Sequence, residues 1–293
     1  MAGRDGVMSL VCIGNLTIDE AVHGQDRSAP AIGGDAAYAA LAARLYLDDV
    51  RMLAPVGSDL PPSVLQSLRE AGIVVDDLPS RDIPTVRNII DYFPDGSRRW
   101  TMLATEDEFD RLSVYPTDVT DAVLQADGIL ISAMSLQSQL ALTPWLRANT
   151  DATLYLDLQE DYLVGNREAL FGIIADCDVF LPSEIEAVTL AETDDLAAAA
   201  HLFHDLGPRT VVIKRAQRGS IVLHDGTLTE VSSERAVAVD STGAGDAFCG
   251  GFAAVHLVSG DAVDAARCGS AAARTAISAY GIDGLVSAAG ALR

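Results

Sequence analysis

The sequence feature that most constrains the fold is an alternation of short apolar runs with helical patterns. Apolar or β-branched runs predict strands at 9–14, 50–57, 128–133, 153–158, 178–182 and 210–214. Helical patterns lie between them, near 34–46, 62–71, 136–147, 166–175 and 194–206. Such alternation is typical of a mostly parallel, doubly wound α/β sheet with helices on both faces. The length of 293 residues suits one domain of this kind.

Two segments depart from the alternation. The run "SIVLHDGTLTEV" predicts a hairpin that turns at Asp225-Gly226. Residues 85–102 contain two alternating runs on either side of Pro94-Asp95-Gly96, which predicts a second hairpin. Together with 17–24, this hairpin is expected to form a small sheet apart from the main one. Such a sheet suits a lid or a subunit contact, and a decorative edge hairpin is an equally good interpretation.

The charge balance limits the partners of the chain. The 20 basic and 42 acidic residues give a net charge of −22 and a pI near 4.3. This balance argues against nucleic acid and against an anionic membrane surface as partners, but it leaves room for an anionic small ligand in a pocket. The one lysine, Lys214, follows no G-x-x-x-x-G-K-[ST] pattern, which excludes a P-loop nucleotide site.

The cysteines and the apolar segments predict a cytoplasmic protein. The four cysteines lack C-x-x-C spacing and are expected to be buried thiols in a reducing compartment. The first residues include an apolar run that is too short for a signal peptide. No stretch reaches the roughly 18 apolar residues that a membrane span requires.

The most informative stretch is "VAVDSTGAGDAFCGGF", residues 237–252. "VAVD" predicts a strand and the residues from Asp246 predict a helix, so the glycines lie at a strand-to-helix turn. Backbone amides in a first helical turn lack intrahelical partners, and Gly243 and Gly245 let an anion approach them closely. An aspartate beside a bound anion suits phosphoryl transfer. Asp246 would accept the proton of an attacking hydroxyl while the amides stabilise the transferring group.

An ordinary capped helix and a dinucleotide-binding turn are the two other interpretations of this stretch. Ser241 or Thr242 could cap an ordinary helix whose first-turn aspartate favours the helix dipole. That interpretation leaves unexplained why Gly250-Gly251 weaken the same helix by about 1 kcal/mol each. A dinucleotide turn would require a third glycine where Phe248 stands, and fewer than 50 residues follow, too few for the remainder of such a fold.

The stretch resembles the second signature of the ribokinase-like (PfkB) carbohydrate kinases, D-T-x-G-A-G-D. Further segments resemble the family in the expected order: "GNLTIDE" (14–20), "IGGDAAYAALAARL" (32–45), "GSD" (57–59), "LPSEIEA" (181–187), "VVIKRAQRGS" (211–220) and "GSAAARTAISAYG" (269–281). The resemblance covers nearly the whole chain. It implies a single kinase domain over 1–293, with lid strands from about 17–24 and 85–102.

The resemblance implies an ATP- and Mg²⁺-dependent kinase for a hydroxyl of a sugar, polyol or nucleoside. Asp246 matches the family's catalytic base, and Gly243, Ala244 and Gly245 match its anion hole. Asp240 opens the signature. In some members this aspartate belongs to a site for a monovalent cation such as K⁺, and here a simple brace of the turn is the alternative. A homodimer through the lid is a further expectation.

The resemblance assigns substrate binding to Asp19, Gly33, Gly34, Asp35 and Tyr38. Asp19 is expected at the carboxyl end of the first strand, where its carboxylate can accept two sugar hydroxyls. The glycines allow close approach of the substrate to the backbone, and Asp35 follows in the first turn of the helix. Tyr38 stands where the family usually has asparagine, so the substrate contacts differ from those for simple ribose. Packing in the core is the alternative role of Tyr38.

The resemblance assigns nucleotide binding to Ser183, Lys214, Ala216 and Gly219. Glu186 matches the acid that orients hydrated Mg²⁺, although Ser183 replaces the family's asparagine. Ser183 and Glu186 also form an S-x-x-E capping box, and both roles are compatible. Lys214 can reach a nucleotide phosphate as a point charge, or end its strand in solvent. Ala216 replaces a glycine in the nucleotide loop.

Two other functions remain open from the sequence. The departures at Tyr38, Ser183 and Ala216 suit a non-catalytic ligand sensor on the kinase fold. A kinase for a vitamin-type substrate is the other alternative, although such relatives tend to lack the lid and the Gly-Gly signature.

The lid hairpin carries arginines that would suit an anionic substrate: Arg87, Arg98 and Arg99.

Overall fold

The computed structural model describes residues 8–76, 78–93 and 98–292. Its strands are β1 (Ser9–Ile13), β2 (Thr17–His23), β3 (Asp26–Arg27), β4 (Ala31–Gly33), β5 (Asp49–Leu53), β6 (Val86–Tyr92), β7 (Arg98–Met102), β8 (Gly128–Ile131), β9 (Thr153–Leu156), β10 (Val179–Phe180), β11 (Thr210–Lys214), β12 (Ser220–His224) and β13 (Thr227–Val231). Its α-helices are α1 (Asp35–Arg44), α2 (Pro62–Glu70), α3 (Glu106–Arg111), α4 (Asp121–Leu124), α5 (Leu136–Asn149), α6 (Arg167–Ala175), α7 (Glu184–Ala191), α8 (Leu196–Leu206), α9 (Ala244–Ser259), α10 (Ala262–Ala276) and α11 (Asp283–Gly290).

The main sheet has the strand order β13-β12-β11-β10-β9-β8-β1-β5. Neighbouring strands from β5 to β11 pair in parallel, and β12 and β13 add an antiparallel edge. The strands alternate with helices along the chain, as the periodicity predicts. The predicted fold class, a doubly wound and mostly parallel α/β sheet, is therefore confirmed.

Helices cover both faces of the main sheet. In β1, Leu10 and Cys12 belong to one apolar cluster, which α1, α9 and α10 complete. Val11 and Ile13 belong to the opposite cluster, with residues of α5, α6 and α8. Because successive side chains of a strand point to opposite faces, an apolar strand such as β1 requires a helical layer on each side.

The predicted hairpin after Lys214 is present, but the predicted "VAVD" strand is not. Strands β12 and β13 pair from Ser220↔Val231 to His224↔Thr227, with both turn residues at positive φ. Residues 237–240 pair with no strand in the described part of the chain. Val237 is 93% exposed, and the backbone amide of Val239 bonds to the carbonyl of Ile277 beyond α10. The alternation in "VAVD" therefore fits no sheet face, and the segment is a loop against α10.

The small sheet has the order β3-β2-β6-β7, with β4 paired to β2. Strands β2 and β6 are parallel, whereas β6 and β7 are antiparallel. Val86, Asn88, Ile90 and Tyr92 alternate along one face of β6, and the first three are at most 2% exposed. The predicted turn at 94–96 lies outside the described residues. Strand β7 is one edge strand of this sheet. The expected homodimer through the lid stays a prediction.

The two glycines inside α9 have a packing role. A Cβ at Gly250 would lie 2.0 Å from the carbonyl oxygen of Ala39 in α1, and one at Gly251 would lie 2.8 Å from Cβ of Ala272 in α10. Their cost to helix stability is therefore offset by close contact between three helices, not by catalysis. Helix α11 was not predicted, because its eight residues follow closely on α10.

The carboxyl ends of β1, β8, β9, β10 and β11 lie along one edge of the main sheet, since these strands are parallel. Residues that follow these strands are therefore brought together although the sequence separates them widely. Open α/β sheets bind their ligands at this edge. Among the described helices, none combines the length and the apolar composition needed to cross a membrane.

Candidate active site

The turn that was predicted to bind phosphate, residues 243–245, lies at the start of α9 and is called the phosphate turn. Gly243 precedes the helix with φ 72°, a left-handed conformation that favours glycine. A Cβ at Gly243 would also lie 2.3 Å from the ring of Tyr38. Space beside Gly245 is open, and the nearest atom to a Cβ there would be Lys214 Nζ at 3.8 Å. The side of Gly245 on which a side chain would project is therefore open and lies near a cationic side chain.

Asp246 lies in this first turn and lines a cleft of about 330 Å³ between the two sheets. The cleft receives residues from the main-sheet edge, from α1 and from the small sheet. The residues that line the cleft include Asn15, Thr17, Gly34, Asp35, Tyr38, Val86, Asn88, Trp100, Met102, Phe109, Tyr162, Thr242 and Gly243. A cleft of this size is at the lower end of the range for small-molecule sites.

Asp35 lies beside Asp246 in the cleft. Its Oδ1 accepts the backbone N–H groups of Asn15, at 2.5 Å, and of Ala36, at 2.6 Å. Burial raises the pKa of Asp35 well above its ordinary value, and the negative charge of Asp246 raises it further. The two carboxyl groups thus form a pair in which Asp35 favours the protonated state. The first turns of α1 and α9 meet at this pair.

The cleft is bordered by buried polar atoms without partners among the described residues. Asn15 Oδ1 and the Tyr38 hydroxyl each lack a hydrogen bond. A buried polar atom without a partner is costly, so their concentration on one side of a cleft points to a ligand that supplies hydrogen bonds. Ligand hydroxyl groups can both donate and accept, and would suit this set.

Asp19 lies on the small sheet, in β2. This position differs from the predicted one, which was the carboxyl end of the first main-sheet strand. The chain turns after β1, and β2 begins at Thr17 because its residues pair with β4 and β6. Asn88 donates a hydrogen bond to Asp19 Oδ1 at 2.8 Å. Burial raises the pKa of Asp19 to about 6, although Asn88 opposes the shift.

The two glycines before α1 provide close contacts. A Cβ at Gly33 would lie 2.0 Å from Asp19 Oδ2, and one at Gly34 would lie 2.4 Å from the carbonyl oxygen of Asn15. Gly34 also has φ 99°. Tyr38 is 1% exposed and packs in the core against Gly243, while it also borders the cleft. Both roles considered for Tyr38 are therefore compatible with its position.

Lys214 ends β11 in a buried ion pair, not in solvent. Its Nζ lies 2.6 Å from Asp157 Oδ2 and 3.2 Å from Cys249 Sγ. Burial by itself lowers the pKa of Lys214, but the charge of Asp157 and its neighbours outweighs burial and raises it. Lys214 is thus a permanent cation beside the phosphate turn. Asp157 follows β9 and was not predicted as a site residue.

Ser183 and Glu186 form the predicted capping box at the start of α7. Glu186 Oε2 accepts the Ser183 N–H at 2.7 Å, and Ser183 Oγ accepts the Glu186 N–H at 3.2 Å. Burial raises the pKa of Glu186 to about 8, and Asp157 contributes to the shift. Mg²⁺ in nucleotide sites is held by one or two carboxylates together with phosphate oxygens. Asp157 and Glu186 would fit that requirement.

The raised pKa of Glu186 predicts a pH-dependent stability. The folded protein keeps a proton that the unfolded chain releases above pH 4.5, so stability falls as pH rises toward about 8. In Glu186→Gln the free energy of unfolding should fall less steeply with pH, by up to about 1.4 kcal/mol per pH unit. Urea unfolding of both proteins between about pH 6.5 and 8 would measure it, above the titration of Asp19. Equal slopes would contradict the prediction.

The loop from Lys214 to Gly219 contains an alanine in a left-handed conformation. Ala216 has φ 50°, so this alanine adopts the left-handed conformation that a glycine would favour. Gly219 has φ 84°, and a Cβ there would lie 1.9 Å from the carbonyl oxygen of Val231. A second cavity, of about 310 Å³, adjoins this loop, with Arg218 and Arg235 in its wall.

Arg87 and Arg99 of the predicted lid do not face the cleft. Arg87 lies on the outer face of β6 and pairs with Asp59 at 2.5 Å. Arg99 pairs with Asp91 at 2.9 Å, on the same outer face. The side chain of Arg98 lies outside the described part of the chain. The strand alternation that buries Asn88 directs its odd-numbered neighbours outward, which explains why the predicted contact with an anionic substrate is absent for Arg87 and Arg99.

The sequence interpretation missed several residues of the site: Asn15, Thr17, Asn88, Trp100 and Asp157. Asn88 had a signal, because a polar residue occupies an apolar-facing position in β6. Asp157 had a weaker signal, since it follows a largely apolar strand.

Asp240, which was predicted, is buried at 6% exposure. The hydroxyl of Tyr92 and the backbone amide of Thr242 donate hydrogen bonds to its Oδ1.

Comparison with known proteins gives one consistent result. The profile of the pfkB family carbohydrate kinases matches residues 9–287. The chain is 27% identical over 282 residues to a cytidine kinase of Thermococcus kodakarensis, covering 94% of this chain and 98% of that one. An adenosine kinase from Sinorhizobium meliloti has a TM-score of 0.81 at 18% identity, covering 98% and 100% of the two chains.

A putative ribokinase II from E. coli, in complex with ATP and Mg²⁺, has a TM-score of 0.78 at 20% identity, covering 94% of each chain. These structures share the fold, and the family profile spans almost all the residues that form it. The expected resemblance is confirmed, and a phosphotransferase takes the place of the sensor alternative. The chain belongs to the pfkB family of carbohydrate kinases, which transfer a phosphoryl group to a hydroxyl of a sugar or nucleoside.

Proposed function

We propose that the protein phosphorylates the primary hydroxyl of a nucleoside with ATP, with Asp246 as the general base. The observation that carries the proposal is that Asp246 and the buried, unpartnered oxygens of Asn15 and Tyr38 border the same cleft. The oxygens provide hydrogen-bonding positions for a polyhydroxylated ligand. Asp246 lies next to the phosphate turn, where a hydroxyl of that ligand would be activated.

In the proposed reaction, Asp246 accepts the proton of the substrate hydroxyl as its oxygen attacks the γ-phosphorus of ATP. The bond between that phosphorus and ADP breaks, and ADP leaves. The first-turn amides of α9 stabilise the negative charge on the transferring group. Lys214 Nζ, which would lie 3.8 Å from a Cβ at Gly245, is proposed to add a positive charge beside the same group.

ATP is proposed to bind along the loop from Lys214 to Gly219, with its base toward the cavity beside Arg218 and Arg235. Asp157 and Glu186 would hold Mg²⁺ through its water ligands, and the ion would neutralise charge on the phosphates. The buried position of Glu186 keeps it protonated in the absence of a cation, and a nearby positive charge would favour its ionised form.

The small-sheet side of the cleft supports a nucleoside over a free sugar. Val86, Met102, Phe109 and Tyr162 belong to or pack against one apolar cluster, and all four border the cleft. Trp100, 49% exposed, adds a flat ring above it. A free sugar would bury few apolar atoms here, whereas a nucleobase could stack on these side chains. The similarity to a cytidine kinase agrees with this choice.

The proposal is tested by the ATP consumed with cytidine, uridine, adenosine and guanosine, compared with ribose, deoxyribose and fructose. A nucleoside should give the highest kcat/KM, and phosphorus NMR of the product should show a phosphomonoester on its primary hydroxyl. A clear preference for a free sugar would contradict the choice of nucleoside but not the role of Asp246. Absence of turnover with every acceptor would contradict the proposed function.

Trp100→Ala is expected to raise KM for the preferred nucleoside about tenfold, since one base-stacking surface is lost. Turnover of ribose and KM for ATP should change little, and Trp100→Phe should restore most of the affinity. Leu103→Ala provides the matched control, because Leu103 is also exposed and apolar beside β7 but does not border the cleft. An equal loss for nucleoside and ribose would show that Trp100 supports the sheet rather than the base.

A further inference from the structure

Tyr92 connects the small sheet to the loop that carries the phosphate turn. It is the last residue of β6, and its hydroxyl donates a hydrogen bond to Asp240 Oδ1. The hydroxyl oxygen of Tyr92 also lies 3.3 Å from the backbone nitrogen of Ser241 and 3.2 Å from Thr242 Oγ1. One hydroxyl therefore contacts three consecutive residues, and Gly243 follows directly after them.

Asp240 is surrounded by hydrogen-bond donors. Besides the Tyr92 hydroxyl, its Oδ1 accepts the N–H of Thr242 at 2.9 Å, and Gly281 N lies 3.4 Å from Oδ2. No arginine, lysine or histidine of the described residues forms an ion pair with this carboxylate. The buried carboxyl group is thus held by hydrogen bonds from the protein itself.

These contacts do not fit a monovalent cation at Asp240. A protein site for K⁺ surrounds the ion with oxygen atoms that replace its water shell. Here each oxygen of Asp240 faces the positive end of an O–H or N–H dipole, which would repel a cation in the same position. The Tyr92 hydroxyl also occupies the side of the carboxylate that faces the small sheet.

The ring of Tyr92 is held by the small sheet. It stacks on His23 of β2, with ring centroids 4.7 Å apart and planes 5° apart, and the two residues are paired in the β2–β6 ladder. The position of the hydroxyl is therefore determined by the small sheet, whereas its partners belong to the loop before α9. A shift of one relative to the other would break the contacts of Tyr92.

We propose that Tyr92 is a positioning residue that replaces a monovalent cation at Asp240. Its hydroxyl holds residues 240–242 so that the amides at the start of α9 stay directed at the transferring phosphate. The inference rests on the proposed role of that turn in phosphoryl transfer. Two consequences follow: activity does not require K⁺, and the small sheet that binds the substrate also controls the geometry of the phosphate turn.

The experiment compares the wild-type protein with Tyr92→Phe, in about 0.1 M chloride of K⁺ or of tetramethylammonium. Hydrogen exchange of the amides in 240–246 is measured without ligands, and kcat and both KM values are measured with the preferred acceptor. The wild type should give the same exchange and, within about twofold, the same kcat in both salts. Tyr92→Phe should exchange this segment about tenfold faster and lose about tenfold in kcat, with KM values little changed.

Tyr46→Phe is the matched control. Its hydroxyl also donates one hydrogen bond, to the carbonyl of Cys268, but it follows the far end of α1. This variant should match the wild type in both measurements. Protection of 240–246 that requires K⁺, or unchanged exchange in Tyr92→Phe, would overturn the proposal. The exchange readout needs no turnover, so it tests the role of Tyr92 even if the proposed nucleoside kinase activity is absent.

Discussion

Asp246→Asn is expected to lower kcat about a thousandfold and to leave ATP binding nearly unchanged. Asparagine has almost the same shape but cannot accept the hydroxyl proton, and a positioned general base contributes 10²- to 10⁴-fold to rates of this kind. The amides at the start of α9 remain in place, so the anion site persists. Steady-state kinetics and calorimetric titration with ATP would measure the two effects separately.

Asp195→Asn is the matched control for this substitution. Asp195 also lies at a helix start, where it accepts the N–H groups of Ala197 and Ala198, but it does not border the cleft. Since asparagine caps helices about as well as aspartate, neither stability nor turnover should change. Near-normal turnover of Asp246→Asn would show that another group accepts the proton. Asp35 would then be the next residue to test, because it lies beside Asp246 in the cleft.

Lys214→Met is expected to reduce both stability and turnover. It leaves Asp157 buried at 5% exposure without its cation, and breaking a buried pair in this way costs about 3–5 kcal/mol. It also removes the cation beside the phosphate turn, which should lower kcat/KM for ATP by about 10- to 100-fold. Urea unfolding and steady-state kinetics measure the two losses.

The double variant Lys214→Met/Asp157→Asn separates the two effects. Replacing both partners removes the unpaired charge, so most of the lost stability should return. Activity should remain low, because the phosphate turn still lacks its cation and the proposed Mg²⁺ site has lost the Asp157 carboxylate. If the double variant regained activity together with stability, Lys214 would be a structural residue and its proposed contact with ATP would be wrong.

The features that followed from the sequence are those set by neighbouring residues. Strand and helix periodicity, the hairpin turn at Asp225-Gly226 and the Ser183–Glu186 capping box each depend on residues within a few positions. The glycines before Asp246 also carried their conformational requirement in the sequence, and Gly243 indeed adopts positive φ. "VAVD" shows the limit of such patterns: an alternating run forms a strand only where a partner strand is open to it.

Only the tertiary structure decided which distant residues meet. Parallel strands bring Asp157 and Lys214 together across 57 positions, and the small sheet carries Asn88 and Trp100 to the cleft. Tyr92 reaches Asp240 across 148 positions. No local pattern encodes these distances, because they depend on strand order and on the packing of two sheets. The sequence by itself determined most of the strands and helices and the glycine turn before Asp246, whereas sheet topology determined the partners of the charged groups at the cleft.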